Sequence, residues 1–175
     1  RTKKGLGIGV FNAITEKTYA TIKNTDTDES RREVVEPFAN YNIFVVDQQF
    51  NGNSSVSLIN TNVTREGHFR DGNVTGLVAN ISNKRNTYNI RGDVKMSNVN
   101  LESGTNTGWS SFFRIGKSHG KFRYSFDHSF ADENYDINDL GLNFRNNYNN
   151  FGIDVNYRIF EPTEKLNNFF INFYV

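Results

Sequence analysis

Several groups of residues have types and spacings from which chemistry is built. Gly5-Leu-Gly7-Ile-Gly9 looks like the start of a phosphate-cradling loop. Such a loop needs a strand before it and a helix after it, whose N-terminus faces the phosphate. Here the glycines alternate inside an extended run, and Phe11-Asn-Ala-Ile-Thr15 continues without a helical pattern. A flat glycine surface for close packing is the better reading. Asp132, Asn134 and Asp136 have the first spacings of a calcium loop. The glycine required at its sixth position is Ile137, and the glutamate at its twelfth is Asn143, so the motif fails. Asp26, Asp28 and Glu29 read the same way, as a solvated loop. His68, His119 and His128 lack the spacing and paired ligands of a zinc site. There is no nucleophile elbow, and glycan sequons at Asn53, Asn62, Asn73 and Asn80 are what chance supplies in an Asn-rich chain. Neither a metal nor a cofactor is expected, and no catalytic residue is assigned.

What remains is a pattern of charges. Arg91, Asp93, Lys121, Arg123, Asp127, Asp154 and Arg158 fall at alternate positions of extended runs, opposite apolar partners. In 151–159, Phe151, Ile153, Val155, Tyr157 and Ile159 alternate with Gly152, Asp154, Asn156 and Arg158; in 121–130, Phe122, Tyr124 and Phe126 alternate with Lys121, Arg123, Ser125 and Asp127; in 88–96, Tyr88 and Ile90 oppose Asn89 and Arg91. Period-two alternation is the signature of a strand with one greasy and one wet face. The same rhythm runs through 6–10 and 169–175, with further strands at 40–48, 77–81, 109–117 and 139–145. Segments 17–23, 32–38 and 55–65 alternate poorly and are read as strands on weaker grounds. Short reversals are expected at 51–53, 71–73, 117–120 and 146–150, with longer polar loops at 24–30, 101–107 and 131–136.

Composition agrees. The chain has 175 residues, a hydrophobic share of 36% and an aromatic share of 14%. Its mean hydropathy is -0.63, yet disordered chains are poor in aromatics. With no cysteine, a disulfide framework, a thiol nucleophile and a cysteine zinc site are all excluded. The net charge of +1, with Asp127 on the same face as Lys121 and Arg123, gives no basic stripe for nucleic acid. No run of about 18 apolar residues exists to form a membrane helix. The chain begins without Met and stops inside an alternating run, so both ends read as cuts within a longer protein, and 1–175 as a single unit.

A soluble sandwich also alternates. Mid-strand charges of both signs on one face, a Phe- and Tyr-rich opposite face, and runs of roughly 8–10 residues, near the 9–11 needed to cross a bilayer at a tilt, favour lipid. The expected fold is an all-β, antiparallel transmembrane barrel, an up-and-down meander forming part of a larger barrel. Tyr88, Ile90, Phe122, Tyr124, Phe126, Phe151, Ile153, Val155, Tyr157 and Ile159 would face lipid. The seven charged residues would face the lumen.

Four phrases carry a resemblance: RTKKGLGIGVFNAIT at 1–15, NYNIFVVDQ at 40–48, NSSVSLINTNVTR at 53–65 and YDINDLG at 135–141. Together they resemble the C-terminal portion of a family of uncharacterised Gram-negative outer-membrane proteins. Longer members carry an N-terminal domain similar to family 9 carbohydrate-binding modules. The resemblance implies location in the bacterial outer membrane and barrel architecture, without a substrate or site residues. The function expected is a pore, a transporter shell, or a membrane anchor for a surface glycan-handling domain. Its partners would be outer-membrane lipid, other outer-membrane or surface proteins, and a glycan ligand. The alternatives are a soluble all-β carbohydrate-binding module and, for a longer protein, a hydrolase.

Overall fold

In the computed structural model, which describes residues 1–67, 70–159 and 161–175, every regular element is a strand. In chain order they are β1 (Leu6–Thr15), β2 (Thr18–Lys23), β3 (Ser30–Glu36), β4 (Ala39–Phe50), β5 (Ser54–Arg65), β6 (Asp71–Ser82), β7 (Tyr88–Leu101), β8 (Gly104–Lys117), β9 (Phe122–Ala131), β10 (Tyr148–Ile159) and β11 (Phe169–Tyr174). Nine form one sheet in the order β1-β4-β5-β6-β7-β8-β9-β10-β11, and β2 and β3 form a separate hairpin between β1 and β4. All pairings are antiparallel. The fold is therefore an all-β antiparallel meander, with β1 and β11 as its two edges. We call the end where β1 starts the lower end and the opposite one the upper end.

Register assigns each side chain to a face. The row Ile8-Val46-Leu58-Leu77-Val94 and the row Ile81-Ile90-Ile115-Phe126-Ile153 each run straight across paired strands. Alternation puts these rows on one face, the apolar face. The second row is one residue from the lower end of β6 but in the middle of β10, so the strands are staggered in one direction. Progressive stagger is what tilted strands require.

Among the described residues no second layer covers the apolar face. Leu77 is 52% exposed and Val10 76%, and Phe122, Tyr124 and Ile153 are exposed as well. The chain shows 12393 Å² of accessible surface, where a compact monomer of this mass shows roughly 8,700 Å². Among the described residues the buried apolar side chains are few: Ala39, Val63, Val99, Ala131 and Tyr135. They gather at the upper end, on the other face, for a reason given below.

Several boundaries differ from expectation. Segment 139–145 is a loop, because β9 and β10 pair directly (Ala131 with Tyr148) and leave it no strand to join. Asp71-Gly72-Asn73 lies inside β6, so the chain reverses before it. Of the loop expected at 101–107 only Glu102 and Ser103 make the reversal, since Leu101 already pairs with Gly104. Tyr148, Asn149 and Asn150 belong to β10 and not to a turn. The reversal at Asn51-Gly52-Asn53 is as expected: Phe50 pairs with Ser54 around it, and Asn51 and Gly52 take positive φ of 51° and 79°, which Asn and Gly tolerate best.

Candidate functional site: the charged sheet face and the loop across it

The apolar face ends abruptly toward the upper end. Asn12, Asn42, Asn62, Asn73, Asn98 and Thr107 are direct cross-strand partners in one unbroken row over six strands. Asn12 Nδ2 donates to Asn42 Oδ1 at 2.8 Å, and Thr107 Oγ1 donates to Asn98 Oδ1 at 2.8 Å. A neighbouring pair repeats the theme, Asn60 Nδ2 donating to Thr75 Oγ1 at 2.8 Å. Side-chain amides that satisfy one another suit a surface where apolar contact gives way to polar contact. On β7 the apolar run from Tyr88 to Met96 spans roughly 27 Å at about 3.4 Å per residue.

The opposite face carries the charges. Arg91, Asp93, Arg123, Asp127, Asp154 and Arg158 all lie on it by register, and Lys121 sits in the β8–β9 turn just before β9. All ten side chains expected on the greasy side (Tyr88, Ile90, Phe122, Tyr124, Phe126, Phe151, Ile153, Val155, Tyr157 and Ile159) share the apolar face. Arg91, Arg114 and Asp127 form one row across β7, β8 and β9. Asp93 pairs with Lys95 at 2.8 Å, Arg114 donates to Ser125 Oγ at 2.7 Å, and Asn156 donates to Asp154 Oδ1 at 2.8 Å. The Arg158 guanidinium lies 4.4 Å from the Phe170 ring centre. Arg114, Arg123, Ser125, Asp154 and Asn156 line an open polar cleft of about 210 Å³. The face is polar and of mixed sign.

Across its upper end lies the long β9–β10 loop, residues 132–147. Its backbone crosses β8 at Gly108, and the Asp136 N–H donates to Ser97 Oγ on β7 at 3.0 Å. Further along, Ile137, Asp139 and Leu140 reach Thr61, Gly72 and Val74 on β5 and β6. Two arginines clamp it there. Arg65, the last residue of β5, pairs with Asp139 at 2.8 Å; Arg70 pairs with Asp139 at 2.7 Å and with Asp136 at 3.0 Å. The Arg70 hydrogen bond holds the Asp136 carboxyl below its ordinary value against the opposing effect of burial, and the two aspartates push Arg70 upward. Tyr135 is 5% exposed. Burial pushes its phenol up to about 12, with the Asp93 carboxylate adding to the shift. Val63, Ser97, Val99 and Ser110 are buried on this same face. The best-buried part of the molecule is thus where loop meets sheet.

The calcium-like aspartates are explained by this loop. Asp132 accepts the N–H groups of Trp109 and Asn134, and Asp136 accepts from Arg70. Among the described residues no group of three or more His, Asp or Glu side chains is placed to hold a metal ion. His128 lies on the apolar face, with Nε2 2.6 Å from Asn149 Oδ1 and its ring tilted against Phe151, the centroids 4.5 Å apart. His119 is an exposed turn residue, and His68 is outside the described residues. Sequence reasoning missed the clamp. Arg65 and Arg70 flank a reversal that the sequence pattern puts downstream at 71–73, and the same pattern reads Asp139 as part of a strand. The available signal was the density of aspartate in 132–139.

No curated protein and no solved structure matches the chain. Its whole length, residues 1–175, matches the family described as Domain of unknown function (DUF5916), and the chain belongs to that family.

Proposed function

We propose that this chain is a stretch of a transmembrane β-barrel in a Gram-negative outer membrane, its apolar face against lipid and its charged face lining the lumen. The observation that carries the reading is the uncovered apolar band, which runs from β1 to β11 and is bounded above, as far as β8, by the asparagine row. Exposed apolar patches beyond several hundred Å² mark a surface that works against lipid or protein. Strands of 10 to 14 residues from β4 to β10 meet or exceed the roughly 9–11 that a tilted crossing needs. The charged face then meets water, and the loop clamped by Arg65 and Arg70 narrows the passage from the upper side.

The role that follows is a pore, a transporter shell, or an anchor for a surface glycan-handling domain. The likeness to outer-membrane proteins whose longer members carry a domain similar to family 9 carbohydrate-binding modules belongs to this proposal, as does a glycan ligand. The test is fractionation of the protein and of its Val155→Arg and Tyr157→Arg variants. The unaltered chain is expected in the carbonate-resistant outer-membrane fraction, with gel mobility that changes on heating. Each arginine, costing ~2–4 kcal/mol near the bilayer midplane, is expected to abolish that behaviour. A soluble protein that binds glycans without detergent would replace this reading with that of a carbohydrate-binding module.

A further inference from the structure

We propose that each edge of the nine-stranded sheet is sealed, in the assembled protein, by a strand running from the upper to the lower end, and that the added strands are odd in number. They come from polypeptide other than the eleven strands above. The inference rests on the membrane reading and concerns what completes the wall.

The edges themselves demand partners. Neither β1 (LGIGVFNAIT) nor β11 (FFINFY) contains a charge or a proline, and neither has a bulge against its neighbour. Charge, proline and bulge are three devices by which natural sheets protect an edge, and none of the three is present. Apolar side chains project from both faces of each edge: Ile8 and Val10 with Phe11 on β1, Phe173 with Phe170 and Tyr174 on β11, all exposed. In hydrocarbon, each unpaired N–H or C=O along such an edge costs several kcal/mol.

Strand direction decides what the partners are. Directions alternate across the sheet, so with nine strands β1 and β11 both run from lower to upper end. Pairing with each other would create one parallel seam in a sheet whose every pairing is antiparallel. A second copy fares no better. A two-fold axis along the strands sets β1 beside the other copy's β11, which is again parallel. A two-fold axis through the sheet pairs β1 with β1 antiparallel, but it inverts one copy and sends the two β9–β10 loops to opposite sides of the membrane. An odd number of intervening strands satisfies both edges at once. It also makes the total even, as in single-chain bacterial barrels.

Photo-crosslinking in the assembled protein tests this. Benzoylphenylalanine replaces Ile8 and Ile14 on β1, then Phe169 and Phe173 on β11, one position at a time. Adducts are mapped by mass spectrometry, and the same samples are fractionated. The expected result is that the two probes on one edge label one segment in reversed order, Ile8 toward its C-terminal end and Ile14 toward its N-terminal end. The β11 probes are expected to behave alike. Adducts joining β1 to β11, within a chain or between copies, would overturn the proposal. So would labelling in the same order, or adducts with lipid alone. Reversed-order labelling in a protein recovered from the soluble fraction would sink the membrane reading while leaving the edge pairing intact.

Discussion

Tyr135 passes over Gly108 with no room for a side chain between them: a Cβ on the glycine would lie 2.3 Å from the Tyr135 nitrogen. Gly108 is thus the point where the β9–β10 loop lies directly on the sheet. Gly108→Ala is expected to lift the loop, at a cost of about 1–3 kcal/mol typical of overpacking. Limited proteolysis reads the outcome. Cleavage within residues 133–146 is expected to accelerate several-fold, with the strands left intact. Unchanged protection would show that the loop is not held by this contact.

The clamp predicts a dependence on pH. Arg70 depresses the Asp136 carboxyl below 3.8 in the folded chain, so the pair stabilises above that value. The contribution is lost as pH falls through the lower, folded value. Pepsin cleavage near Leu140 and Phe144, the latter 90% exposed, is expected to rise as pH drops below about 4. In Arg70→Gln, cleavage should already be high at pH 5 with a flatter pH profile. An identical profile in the two proteins would remove the clamp from the account.

Tyr135 predicts the opposite sign. Its folded phenol titrates near 12 and its unfolded one near 10, so stability from this group is complete below pH 10 and declines above it. Ultraviolet titration of native protein against Tyr135→Phe is expected to show one phenol fewer titrating near 12 in the variant. The buried Tyr135 hydroxyl faces the Ser110 side chain without a well-aligned hydrogen bond. Its removal should therefore change stability by less than about 1 kcal/mol, whereas Tyr135→Ala should cost about 3–5 kcal/mol.

Depth along β6 predicts a graded effect of charge. Leu77 sits within the apolar band, while Asn73 sits in the asparagine row. Refolding into vesicles, followed by denaturant titration, is expected to show Leu77→Arg losing ~2–4 kcal/mol and Asn73→Arg roughly 0–1 kcal/mol. Equal losses at both positions would mean that the row does not mark the edge of the hydrocarbon.

Legibility followed the difference between the two faces. Where both faces keep their character along a strand, as in 122–126 and 151–159, period two named the strand and the facing of each residue. It weakened in β5, since Asn60 and Asn62 share the apolar face with Val56 and Leu58. It is weak in β2 and β3, where the readings 17–23 and 32–38 still lie within two residues of the observed bounds, because their side chains are nearly all exposed and no buried face imposes a pattern. Leu140, Leu142 and Phe144 misled for the converse reason. They alternate, but only Leu140 meets the sheet, and Leu142 and Phe144 are exposed in the loop.

The amino-acid order alone determined that the chain forms antiparallel strands with one greasy and one charged side, since side-chain direction along a strand depends only on residue parity. Which loop lies on the charged face, which arginines hold it, and which way the two edges run were decided only in three dimensions. Those depend on register and on contacts between residues as far apart as Arg65 and Asp139, and no local pattern records them.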